Sequence, residues 1–125
     1  MVLKSGEEKR QEEEAVVQEF KWAGSPEEAL QGQGKAYLTT HRLIMERESE
    51  GKTTKVFEFP LKAVQRVSIK GLFTKILSVE VDLSQVESDV KKIDASEKKG
   101  FGMVQIKVSG PKTWESEIAF RSRKH

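Results

Sequence analysis

Gly34–Lys52 reads GKAYLTTHRLIMERESEGK, and its apolar residues do not recur at helical spacing. Ala36 and Leu38 alternate with Tyr37 and Thr39, and Leu43 and Met45 alternate with Ile44. A period of two is what a strand produces when one face is buried. Thr40-His41 separates the two runs, so the stretch is expected to be a β-hairpin with Leu-Thr-Thr-His-Arg at its turn. The glycine-containing SEGK that follows reads as a second hairpin turn, and KVFEF as the next strand, ending at Pro60, which has no N–H to give to a ladder.

Working outward, AVQRVSIK (63–70) and KILSVEVDL (75–83) continue the series. In the latter Leu77, Val79, Val81 and Leu83 alternate with Ser78, Glu80 and Asp82. GMVQIKV restores the pattern through Val104, Ile106 and Val108, and upstream Val16, Phe20 and Trp22 share one face against Val17, Glu19 and Lys21. Seven strands result, with Leu38, Leu43, Val67, Val79, Val81 and Ile106 expected in the core. GSPEEAL offers Ser25 as a cap, Pro26 at a first helical position and two acids, the signature of one helical turn. Residues 84–100 lose the alternation and read as a long loop, although Val86, Val90 and Ile93 fall at helical spacing after Ser84. In the tail, Trp114, Ile118 and Phe120 fit a strand, while Trp114 and Ile118 also fit one helix face. Ser109 as cap and Pro111 just inside favour the helix. SGEEKRQEEE (5–14) could open with a capping box from Ser5 and Glu8, but no apolar stripe follows. Residues 1–14 are therefore expected to be a flexible charged leader before a domain at 15–125.

The 125 residues suit one domain. With 36% apolar and 34% charged residues the core should be small and the surface highly charged. The absence of cysteine removes disulfides, thiol nucleophiles and thiolate metal sites, and fits a cytoplasmic setting. The net charge of +2 conceals an asymmetry: residues 1–50 carry −4 and residues 51–125 carry +6. Such a difference can orient a molecule near an anionic surface.

The segments GKAYLTTHRLIME, FEFPLKAVQRVSIKG and ILSVEVDL, spread over Gly34 to Leu83, resemble the pleckstrin-homology superfamily, in particular its GRAM-like and short prokaryotic branches. The resemblance implies a mainly β fold: a barrel of seven antiparallel strands in two sheets, one end closed by a C-terminal helix whose Trp114 and Ile118 plug it. In that family the Leu-Thr turn is a tight hairpin, and Pro-Leu-x-x-Val leads into the strand that crosses to the second sheet. A short final helix and a long loop before strand seven depart from the pattern. Lipid-binding members grip inositol phosphates with Lys and Arg in and beside the loop joining strands one and two. Here that loop, AGSPEEALQGQG, holds Glu27 and Glu28 and no basic residue, with Lys21, Lys35 and Arg42 beside it. Two carboxylates repel a phosphate, so that pocket is not expected to bind one.

IKGLFTK is the better candidate. Leu72 and Phe73 occupy a turn between Lys70 and Lys75, an apolar tip with a cationic collar that could enter a bilayer interface or a partner's groove. Alternatively Phe73 folds back over the barrel mouth as core. Catalytic chemistry finds little support: His41 and His125 are the only imidazoles, and no carboxylate in the sequence is placed to orient His41. The acids at 12–14 and at 87, 89 and 94 lack a calcium-loop spacing, so no metal and no cofactor is expected. Nucleic-acid binding is not expected either, because the short basic clusters are interrupted by acids and Phe101 and Trp114 fall at expected core positions. The sequence thus reads as a non-catalytic docking module. It would bind a protein partner or, peripherally, an anionic membrane surface through Lys70, Leu72, Phe73 and Lys75, a strand edge or the 84–100 loop. A small-ligand carrier or enzyme using the barrel interior is the alternative.

Overall fold

One long strand organises the molecule. In the computed structural model, which describes residues 1–22, 25–27, 30–86 and 100–123, strand β1 runs from Lys9 to Trp22 and is paired along both edges. Its first part pairs with β3 (Gly32–Thr39), from Lys9 opposite Thr39 to Val17 opposite Gly32. Its second part pairs with β8 (Phe101–Lys107), from Val16 opposite Lys107 to Trp22 opposite Gly102. From β3 the sheet continues to β4 (Arg42–Ser49) and β5 (Lys52–Pro60), and from β8 to β7 (Ile76–Asp82) and β6 (Val64–Lys70). Every pairing is antiparallel, and a two-residue strand β2 (Ser25–Pro26) lies against the end of β1.

Two sheets were expected; the hydrogen-bonded path is one open sheet with β5 and β6 as its edges. The shared strand explains the difference. A register shift between Val17 and Glu19 marks a bulge in β1, and a bulge bends a strand and reverses which side chains face inward. Ala15 and Val17 are therefore buried along with Phe20 and Trp22, whereas strict alternation put Val16 on that face instead. The inner faces of both halves meet in one apolar cluster. Leu38, Leu43, Val79, Val81 and Ile106 lie in it as expected, and Val67 packs against its margin. Phe57 and Phe59 stack at 4.8 Å, and Phe20 lies within 6.1 Å of each.

The turns follow the sequence closely. Ser49 pairs with Lys52 across Glu50 (φ 53°) and Gly51 (φ 77°), a two-residue hairpin loop with both central residues left-handed, which matches the twist of the flanking strands. After Pro60 a short 3-10 turn, Leu61–Ala63, carries the chain from one sheet edge to the other. Helix α1, Pro111–Ser122, packs on β6, β7 and that turn, burying Trp114 and Ile118 one helical turn apart.

Four local expectations are corrected. Residues 9–14 are not a leader but the first half of β1, because the backbone ladder to β3 forms although the inward positions there are Gln11 and Glu13. Ser25–Pro26 extends the sheet rather than capping a helix: the Glu27 N–H donates to the Phe20 carbonyl at 2.7 Å, which holds this segment in strand geometry. The N-cap of α1 is Gly110, not Ser109, whose hydroxyl is taken by Glu13. Of the 84–100 loop, Leu83–Gln85 forms a 3-10 turn in which Asp82 accepts from the Ser84 N–H at 3.0 Å, so Ser84 is not the cap. Val90 and Ile93 lie outside the described residues.

Candidate functional site

The β6–β7 hairpin closes through Gly71–Lys75. Gly71 has φ of 105°, and a Cβ there would sit 2.0 Å from the Thr74 carbonyl oxygen, so this tight turn requires glycine. The constraint leaves Leu72 and Phe73 at the apex with their side chains in water: they are 89% and 99% exposed. Phe73 does not fold back over the core. The Lys75 ammonium reaches back to the Gly71 carbonyl at 3.4 Å, and Lys70 and Lys75 flank the apex, both exposed.

Register adds a residue that the sequence did not single out. Lys70 lies opposite Ile76, and Leu77 lies opposite Ile106. Lys107, one rung beyond Ile106, is therefore next to Ile76 on the adjoining strand. Since Ile106 and Leu77 point into the core, alternation turns Lys107, Ile76 and Lys70 to the outer face. The apex thus has three exposed cations around it, Lys70, Lys75 and Lys107. None has a carboxylate within ion-pair distance among the described residues. Long-range pairing between strands hides such a neighbour from any reading of local spacing.

The Leu-Thr-Thr-His-Arg turn has a different role. Thr39 Oγ1 accepts from the N–H groups of His41 (3.1 Å) and Arg42 (2.9 Å), which fixes the hairpin, and donates to Glu7 Oε2. Arg42 then grips the same carboxylate through two nitrogens, Nη2 to Oε1 at 2.6 Å and Nε to Oε2 at 2.7 Å. It also donates to Glu58 at 2.7 Å and to the Val2 carbonyl at 2.8 Å. Glu7 and Arg42 are both buried. Burial acts most strongly on Glu7 and disfavours its charge, but the donors from Arg42, Thr39 and the Lys4 N–H together outweigh it. They hold the carboxyl down at about 2 from an ordinary 4.5. A depressed carboxyl pKa stabilises the fold above the unfolded value, and that contribution is lost as pH falls through the folded one. Stability is thus expected to drop by up to about 3 kcal/mol between pH 4.5 and 2 on account of this group. Urea midpoints measured across that range should fall less steeply for Glu7→Gln than for the wild type.

Around this pair lies a surface cleft of about 530 Å³, bordered also by Lys4, His41, Lys62 and Gln85. Within it Arg42 pairs with both Glu7 and Glu58, and the exposed His41 ring meets Thr40 Oγ1 at 2.7 Å through Nδ1. No cluster of three potential metal ligands occurs among the described residues. The first loop brings Glu27 beside the end of β1; Glu28 lies outside the described residues. Phe101, expected in the core, is 60% exposed at the start of β8, because β8 begins there and its alternation turns Gly102 inward instead. Asp82 lies directly opposite it, a poor neighbour for a nucleic-acid stacking platform. No helix among the described residues is long and apolar enough to cross a membrane.

No protein-family model matches the chain, and no curated protein matches it. Among solved structures, a chain of "The 8S snRNP Assembly Intermediate" is similar at 13% sequence identity with a TM-score of 0.60, over 94% of this chain and 84% of that one. At such identity the likeness is one of fold.

Proposed function

We propose that this protein is a non-catalytic docking module with a pleckstrin-homology-like fold, acting in the cytoplasm and contacting a protein partner or, peripherally, a membrane surface through the β6–β7 turn. The observation that carries the reading is the near-complete exposure of Phe73 beside Leu72 on a tight turn that only glycine can make. Folding gains nothing from an aromatic ring left in water, whereas a partner that covers it does. The architectural reading is supported by the strand order, in which β1 joins the two halves, and by the helix that follows the last strand. A carrier or enzyme built on the interior is less well supported, since the space between the two halves is filled by one cluster of buried apolar side chains packed on one another.

Because the chain has no cysteine, Phe73→Cys creates one labelling site for an environment-sensitive fluorophore. Its emission is expected to shift to the blue when the labelled protein meets either the soluble or the membrane fraction of its source cell, and a label at Ser49 is expected to stay in water. A label at 73 that stays in water with both fractions would sink the docking reading.

A further inference from the structure

The apex is small, convex and flanked by cations, and this combination selects among the surfaces it could meet. A phenylalanine side chain buries about 150–250 Å². Even with Leu72, the tip offers far less than the roughly 800 Å² per partner of a standard protein interface. A bilayer requires neither that area nor shape complementarity, because its interface opens to admit apolar side chains and its headgroups supply charge wherever a lysine reaches. Leu72 discriminates further: it adds nothing to a stacked nucleobase, but gains as much as Phe73 from leaving water. Finally, Lys70, Lys75 and Lys107 are exposed without carboxylate partners among the described residues, and they come from β6, the turn and β8, with Lys70 and Lys107 on the outer face of the sheet beside the apex, so an anionic surface that admits the tip also meets that face.

We propose that the β6–β7 turn is a membrane wedge, in which Leu72 and Phe73 enter the interface of an anionic bilayer while Lys70, Lys75 and Lys107 rest on its headgroups. This rests on the docking reading above and names the surface. The wedge selects for negative surface charge and not for a particular headgroup, since the two clefts found among the described residues lie away from the turn. Two terms combine and separate with salt. The lysine attraction is screened, whereas the apolar term persists at every ionic strength.

The test is co-sedimentation of the full chain with phosphatidylcholine vesicles, with and without phosphatidylserine, across a salt series. The wild type is expected to pellet with the anionic vesicles at low salt and only weakly with the neutral ones. Phe73→Ala is expected to weaken partitioning about thirtyfold at every salt concentration. Lys70→Ala with Lys107→Ala should weaken it by a similar factor at low salt and far less at high salt. All three positions are exposed, so thermal midpoints should not move and unfolding cannot account for a loss. Failure of the wild type to pellet with any vesicle at low salt would overturn the wedge; a fluorophore at 73 that still shifts with the soluble fraction would then leave a protein as the occupant and the docking reading intact. Binding that depends on the lysines but is indifferent to Phe73 would also overturn it, reducing the contact to surface adsorption. A label that stays in water with vesicles and with both cell fractions would end both readings.

Discussion

Removing residues 1–13 is expected to unfold the domain. The deletion takes away the rungs of β1 from Lys9 to Glu13 against β3, leaving Ala36 to Thr39 without their partners on that edge of β3. It removes Glu7, so the buried Arg42 guanidinium keeps only Glu58. It also removes Glu13, whose carboxylate accepts from the Trp114 indole N–H at 2.5 Å and from the backbone and hydroxyl of Ser109. Breaking a buried charge pair by removing one partner costs about 3–5 kcal/mol by itself. An indole N–H stranded in the core adds about 1–3 kcal/mol. Together with the lost ladder these exceed much of the ~5–15 kcal/mol that holds a small domain together. Far-ultraviolet circular dichroism and a urea titration of the truncated chain are the measurements, and a cooperative transition near the wild-type midpoint would refute the expectation. Glu7→Ala alone should lower stability by about 3 kcal/mol or more.

Val79→Asp is expected to be equally severe by another route. Val79 is fully buried on β7, with Val67 opposite on one side and Val104 on the other. A carboxylate there has no donor to meet it, and burying it unpaired costs several kcal/mol even after its pKa rises to neutralise it. Loss of the cooperative transition in urea is the expected readout. A soluble variant melting with the wild type would mean that β7 presents its other face to the core.

Strands whose inner face is apolar could be read from the chain, as Leu77, Val79 and Val81 show, because one buried face imposes a period of two. The first half of β1 could not. Its inward positions include Gln11 and Glu13, so the alternation exists in the backbone ladder but not in hydropathy. The bulge beyond Val17 was hidden for a related reason: apolar residues at 15, 16 and 17 fit either register, and only pairing with β8 decides which of them turns inward. The candidate site was half legible. Glycine before an apolar pair flanked by lysines marked the turn, whereas Lys107 reached it through two strand pairings. The partner of Arg42 lies 35 residues away, and no spacing rule spans that distance. One clue did exist: a buried tryptophan needs an acceptor for its N–H, and the acidic stretch at 12–14 held carboxylates without an assigned use.

The attachment of β1 along both edges also bears on how the chain acquires its structure. Its first partner, β3, follows within a few dozen residues, but β8 and the Glu13 bonds to Ser109 and Trp114 join positions 96 and 101 residues apart. On a ribosome, β1 can pair with β3 early but keeps its other edge open until Gly102 to Lys107 have emerged. Contacts so distant in sequence make the closing step slow, in the millisecond-to-second range typical of all-β topologies. The nascent chain meanwhile displays an unpaired strand edge of the kind that invites aggregation. The run of glutamates at 12–14 lies on that strand, where mutual charge repulsion discourages a second copy from pairing with it.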